Sequence, residues 1–463
     1  MYGRLLEHSS SRFLRRVNDT RRRSEGDTSV WEFETDPEFQ EKLDWMDTFV
    51  REEVELLEAL FPNQAFVRPM DPVVAEIIAP MKQKVKDMKL WACHLGPELG
   101  GEGYGQVKLA LMNQILGRCG WAPMIFGTQA PDTGNAEIIA HYGTEEQKKL
   151  YLEPLLSGEI VSCYSMTEPQ GGADPRMFTC SAVQDGDEWV INGWKFFSSN
   201  ARWSSFLLVM TVTNPDVPIY RGASMFIVPT DTPGVKIERN QALYGHEPMG
   251  DGSHALIHYE NVRVPAENML GGEGQAFAIA QTRLGGGRIH HAMRTVGQAT
   301  KALDMMVERA LSRETAGSLL ADKQSVQNYI ADSYAQITQF RLFVMYVAWR
   351  IDTLQDYKAV RHDIAAIKVL TPQVLHDVAQ KSLQVHGALG TTDELPLAGM
   401  MYGSTILGLA DGPSEVHRVT VAKKLLKDGK PSEGLWPDSW IPGLQEKAKK
   451  KWAKELEGHE VLS

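Results

Sequence analysis

The sequence predicts an α+β protein of three successive domains: helical, then β, then helical again. Three observations carry that expectation. Apolar residues recur at three- and four-residue steps over residues 36–160, and short apolar or alternating runs separated by turn residues fill 161–272. Helical periodicity then returns over 273–430. At 463 residues the chain is too long for one ordinary core, so several domains are expected from length alone.

Residues 1–35 form a basic arm. Arg4, Arg12, Arg15, Arg16, Arg21, Arg22 and Arg23 sit among serines, with Glu7 and Asp19 opposing them. A mobile arm is expected, with an Arg- and Ser-rich targeting peptide as the alternative. In the first helical domain, Phe39, Leu43, Met46, Val50, Val54 and Leu57 make one stripe. Val73, Val74, Ile77, Ile78, Met81, Val85 and Met88 make a second. Thr144-Glu145-Glu146-Gln147 is a capping box that opens a further helix. The loop from His94 to Gly105 is glycine-rich but lacks G-x-G-x-x-G spacing after a strand, which excludes a Rossmann turn.

The middle domain, of barrel or sandwich type, is expected to use Trp189–Ile191, Phe206–Val212, Met225–Val228, Ala255–Ile257 and Val262–Val264 as strands. Asp185-Gly186-Asp187, Asn214-Pro215-Asp216 and Asp231-Thr232-Pro233-Gly234 supply turns. In the last domain, Ala302, Leu303, Met306, Val307, Ala310 and Leu311 form one stripe. Val326, Ile330, Ile337, Val344, Val347 and Ile351 form another, on a helix long enough for a bundle. The tail, 431–463, holds Trp436, Trp440 and a lysine-rich run from Lys447 to Trp452. A solvated surface helix is the simpler expectation there, with a membrane-surface or partner helix as the alternative.

Composition narrows the function. A net charge of −11 argues against general nucleic-acid binding, which needs a basic face. Cys93, Cys119, Cys163 and Cys180 show neither C-x-x-C pairing nor metal-ligand spacing, so reduced thiols and no metal site are expected. No apolar run approaches the ~18 residues that cross a bilayer. A cytoplasmic location is expected, or the mitochondrial matrix if the basic arm is a targeting peptide.

Two stretches carry chemistry. The first runs from Val161 through Thr167-Glu168-Pro169 to Gly171-Gly172-Ala173-Asp174, and is followed by Asn192-Gly193-Trp194-Lys195-Phe196-Phe197-Ser198-Ser199-Asn200. An apolar strand ends there in a Pro corner and a small-residue loop, beside a strand that mixes rings and hydroxyls. Such a surface suits a planar cofactor with a polar edge, although any β-hairpin could share it. The second is Leu409-Ala410-Asp411-Gly412-Pro413-Ser414-Glu415-Val416-His417-Arg418. Taken alone it is a turn leading into a helix, with Pro413 near the helix start. The functional alternative places Asp411 as a base at the helix entrance.

Together these segments, within residues 40–425, resemble the acyl-CoA dehydrogenase family. The resemblance implies a C-terminal four-helix bundle, FAD as cofactor, an acyl-CoA substrate and an electron-transfer flavoprotein as partner. It also implies a homodimer or homotetramer. Asp411 corresponds to the base that removes the α-proton while the β-hydride goes to flavin N5, giving a trans-2-enoyl-CoA. Asp stands where most members have Glu, about 1.5 Å longer. Position 287, where some members place the base, is a glycine. The Asp variant resembles the subgroup that in animals is fused to a kinase-like domain and is linked to hydroxylated or unusual acyl chains.

The resemblance further implies that Tyr164, Met166, Thr167 and Ala173 line the flavin, with Ala173 replacing the usual Ser. Phe197 stands where a Trp commonly backs the ring, and Ser199 where a Thr faces N5. Arg313 and Gln324 match residues that reach the adenine diphosphate half across a dimer interface. Gln384, Gly387 and Ala388 match a loop over the same phosphates, and Pro413 and Glu415 match the flavin-contacting turn. Arg288 and Gly412, with Ala173, fall where the family touches acyl-CoA. The alternatives are a flavin oxidase of the same fold, nitroalkane or acyl-CoA oxidase-like, and a non-catalytic family-derived binding protein.

Overall fold

The computed structural model describes residues 35–62, 65, 67–97, 101–245 and 253–459. The basic arm, the chain end at Val461–Ser463 and part of the glycine loop lie outside the described residues. The chain divides into a compact unit ending at Arg418 and a second unit from Val419 onward.

Helix α1 (Pro37–Phe49) starts where the Asp36 carboxylate accepts from the Phe39 N–H at 2.9 Å and Pro37 fills the first turn. It continues through a π-helical turn, Val50–Val54, and the whole predicted stripe from Phe39 to Leu57 is buried. Helix α2 (Pro72–Asp87) is capped in the same way by Asp71. It buries Val74, Ile78, Met81 and Val85, whereas Val73 and Ile77 stand exposed, one position off the stripe. Helices α3 (Gly105–Leu116) and α4 (Asp132–Tyr142) follow. The Thr144 hydroxyl then accepts from the Gln147 N–H while the Gln147 side chain accepts from the Thr144 N–H, which closes the capping box.

The middle segment is one eight-stranded sheet. Its strands are β1 (Ser162–Ser165), β2 (Ser181–Asp185), β3 (Glu188–Ser199), β4 (Phe206–Val212), β5 (Ala223–Pro229), β6 (Val235–Gln241), β7 (His254–Pro265) and β8 (Met269–Leu270), in the order β6-β7-β3-β2-β4-β5-β8. β1 adds to β4 in parallel. The continuous apolar run of β4 follows from burial on both faces. Phe206, Leu208 and Met210 pack with Ile138, Ile139 and Ile279 of the helices, whereas Leu207 and Val209 pack with Ile191, Ile257 and Tyr259 of the sheet. Two expected strands, Ala255–Ile257 and Val262–Val264, are parts of the single strand β7. β6 was not foreseen: its alternation is weak, and none of its residues is fully buried.

The C-terminal helices are α5 (Ala276–Ser312), α6 (Gln324–Leu354), α7 (Arg361–His386), α8 (Leu397–Leu409) and α9 (Ser414–Asp428). Both predicted stripes are largely buried, but Leu311 is exposed near the end of α5. Met46, Val50 and Leu116 of the first helical segment share one core with Ile289, Met293, Val344 and Val378 of the last. Helices α3 and α5 cross where glycine permits contact of backbones. A Cβ on Gly297 would lie 2.0 Å from the Gln114 carbonyl oxygen, and one on Gly117 2.1 Å from that of Arg294. In the second unit, helix α10 (Ile441–Lys451) is exposed, and Trp436 stacks on Trp440 with ring centroids 4.9 Å apart. No helix among the described residues is long and apolar enough to cross a membrane.

Candidate active site

The loop after β1 is held by a buried ion pair. Lys195 Nζ lies 2.9 Å from Glu168 Oε1, and the two side chains are 0% and 1% exposed. The pair is fully partnered, as buried charges must be. Lys195 also donates to the Met166 carbonyl, and Glu168 accepts from the Thr179 and Cys180 N–H groups. The Phe196 N–H donates to the Thr167 carbonyl at 2.8 Å. Strand β3 therefore fixes Met166, Thr167 and Glu168 in place.

At the next residue β3 bulges, and Phe197 takes a positive φ of 52° and is 46% exposed. The ring of Phe197 packs edge-on against Phe196. The Ser199 hydroxyl beyond it bonds His254 Nδ1 at 2.8 Å. An exposed ring forced out of a strand, beside hydroxyls and a pinned loop, fits a planar ring system with polar edges. Ala173 is exposed at the far end of the loop.

A cluster of charged side chains forms where α5 meets the α8–α9 turn. Asp411 has φ 55° and Gly412 φ 96°, so the chain reverses tightly before Pro413 and Ser414 open α9. Aspartate tolerates the left-handed region because its short side chain can bond locally. Arg288 Nε donates to the Asp411 carbonyl at 3.0 Å, and His417 Nε2 contacts the same oxygen at 3.2 Å. The Asp411 carboxylate lies 3.5 Å from His291 Nε2. Burial pulls the Asp411 carboxyl upward, but His291, Arg283, Arg288 and Lys368 outweigh it and leave it below its ordinary range. Burial lowers Lys368 to about 8 and His291 to about 4.

Arg283 joins the two halves. Its guanidinium lies 3.9 Å from the centre of the Tyr164 ring, its Nε donates to Asn135, and its charge acts on Asp411. Gly287 fits beside Asp411: a Cβ there would sit 3.5 Å from Asp411 Oδ2. Glu137 of α4 lies against Gly286, and burial lifts its carboxyl to about 8 despite Arg283.

Of the sequence-derived residues, Tyr164, Met166, Thr167, Phe197 and Ser199 lie where β1 and its following loop meet the C-terminal end of β3, and Arg288, Asp411, Gly412 and Pro413 share the α5–α9 corner. Glu415 is exposed and pairs with Arg418 at 3.2 Å. Arg313 ends α5 and Gln324 begins α6, both exposed and bracketing a short hairpin. Gln384, Gly387 and Ala388 are exposed around the end of α7, where a Cβ on Gly387 would meet nothing within 4 Å. No hydrogen bond or ion pair links these last five to Asp411 among the described residues. Arg283, Glu137, Lys368 and the Glu168–Lys195 pair escaped sequence reasoning. Their partners are remote in sequence, and only the Thr-Glu-Pro corner hinted at one of them.

Comparison with known proteins agrees with this arrangement. Models of the acyl-CoA dehydrogenase N-terminal, middle and C-terminal domains match residues 37–159, 163–262 and 274–426. Acyl-CoA dehydrogenase family member 11 of Rattus norvegicus is 40% identical over 356 residues, 76% of this chain and 45% of that protein. The probable acyl-CoA dehydrogenase FadE2 of Mycobacterium tuberculosis is 42% identical over 362 residues, covering 77% of this chain and 87% of its own. The butyryl-CoA dehydrogenase structure from Megasphaera elsdenii superposes with a TM-score of 0.73 at 25% identity, covering 86% of this chain and 100% of that one. The chain belongs to the acyl-CoA dehydrogenase family. It spans less than half the length of the animal relatives it matches.

Proposed function

We propose that the protein is an FAD-dependent acyl-CoA dehydrogenase that converts an acyl-CoA thioester to the trans-2-enoyl-CoA. The observation that supports this most is the Asp411 carboxylate, held at a helix entrance among Arg283, Arg288 and Lys368 and joined through Arg283 to the Tyr164 strand. FAD, when bound, supplies the acceptor for the β-hydride. Tyr164, Met166, Thr167, Phe197 and Ser199 would hold its ring system. Asp411 takes the α-proton, and Arg288 fixes the backbone from which that carboxylate projects. The surrounding cations keep Asp411 ionised and able to accept that proton at neutral pH.

The exposed Arg313, Gln324, Gln384, Gly387 and Ala388 suit contact with a cofactor held partly by a neighbouring subunit, in a homodimer or homotetramer. An electron-transfer flavoprotein is the proposed electron acceptor, and the cytoplasm the proposed location. Anaerobic titration with butyryl-, octanoyl- and palmitoyl-CoA tests the activity: one of them should bleach the flavin band. A protein that folds without binding flavin would refute the enzyme reading.

A further inference from the structure

We propose that Asp411 and His291 act as one proton-holding pair, the proton taken from the substrate's α-carbon being shared between carboxylate Oδ2 and imidazole Nε2. The proposal rests on the reading of Asp411 as the base. Its starting point is geometric. His291 Nε2 lies 3.5 Å from Asp411 Oδ2, and the side chains keep 27% and 21% of their surface exposed. Arg288 and His291 are three residues apart on α5, and so share one face. The first bonds the Asp411 carbonyl and the second meets its carboxylate, so one helical turn holds the residue at both ends. Gly287, four residues before His291, presents no side chain toward Asp411 Oδ2.

The charges around the pair explain why a second acceptor matters. Arg283, Arg288 and Arg294 face it from α5, Lys368 from α7 and His417 from α9, while His290 and His94 lie next to Arg294. The arginines and Lys368 weaken the hold of a lone aspartate on a proton, whereas the buried histidines and Tyr164 of β1, which also faces Asp411, stay neutral. A neutral imidazole within reach spreads the captured proton over two atoms. In the step itself the α-C–H bond breaks and its electron pair forms the C=C bond as the β-hydride departs to the oxidised flavin. The proton ends on the pair. At rest the pair is carboxylate plus neutral imidazole, with room for one proton.

The test uses His291→Gln and His291→Phe in the flavin-loaded protein. Glutamine can hold the carboxylate by hydrogen bonding but cannot take a proton, which separates positioning from sharing. Both variants should bind flavin, and both should reduce it at least ten-fold more slowly with the thioester that bleaches the wild type fastest. The acid limb of the rate profile should move to lower pH, because a lone carboxylate among these cations holds its first proton less tightly than the pair does. A second readout omits hydride transfer. An acyl-CoA with sulfur in place of the β-carbon has no β-hydrogen to lose, and the exchange of its α-hydrogens in deuterated water should slow in both variants. Wild-type rates in His291→Gln, or slow reduction with unmoved acid limb and unchanged α-exchange, would overturn the proposal. Should Asp411→Asn still reduce its flavin, the base assignment itself would fail, whatever His291 does.

Discussion

Asp411 occupies a left-handed backbone position, which dictates how it should be probed. Asparagine shares the tolerance for that conformation, so Asp411→Asn should fold and bind flavin normally. Its flavin reduction should fall by about 10²–10⁴, the usual contribution of a general base, as read by stopped-flow absorbance. Glu137 gives a prediction about pH. Its folded carboxyl titrates at about 8 against an ordinary 4.5, so the unfolded chain ionises first as pH rises. Stability from the neutral carboxyl is therefore full below the ordinary value and lost on the way up to the folded one. Glu137→Gln should melt close to the wild type at acid pH and several degrees higher near pH 8, read by thermal unfolding across that range. The turn at Asp411 was legible in the sequence because Asp411, Gly412, Pro413 and the helix start are contiguous. Glu168 and Lys195 were not recognised as a pair, because 27 residues separate them and only the sheet register joins them.

Among the elements, α5 carries most of the site, and its glycines differ in kind. Gly297→Ala would drive a methyl into the backbone of α3, where a Cβ has only 2.0 Å. Overpacking of that sort costs about 1–3 kcal/mol or more. Gly287→Ala meets only ordinary contact at 3.5 Å and should stabilise the helix by about 0.5–1 kcal/mol. Denaturant unfolding of the two variants should shift in opposite directions. Lys195→Met leaves Glu168 buried without its counter-charge and should cost about 3–5 kcal/mol on the same assay. Periodicity exposed the helices well because their buried stripes are long. It missed β6, whose outward residues dilute the alternation, and it split β7, where Glu260 and Asn261 interrupt the apolar run.

The order of helical, β and helical segments was legible from periodicity alone, but the shared core of the first and last was not. Contacts such as Met46 and Val50 with the α5 cluster depend on packing that no local pattern encodes. For the whole molecule, the exposed Arg313, Gln324 and Gln384 predict that flavin retention depends on assembly. Light scattering should give a dimer or tetramer, and dilution to monomer should release flavin, followed by its fluorescence. A monomer that keeps its flavin would refute that arrangement.

The hydrogen bond from Phe196 to Thr167, with the ion pair beneath it, has a kinetic consequence. The loop is already ordered by its own sheet, so it need not fold around an incoming ring system. Uptake by the empty protein should then follow simple second-order encounter without a slow concentration-independent phase, and the vacant loop should resist proteolysis as well as the filled one.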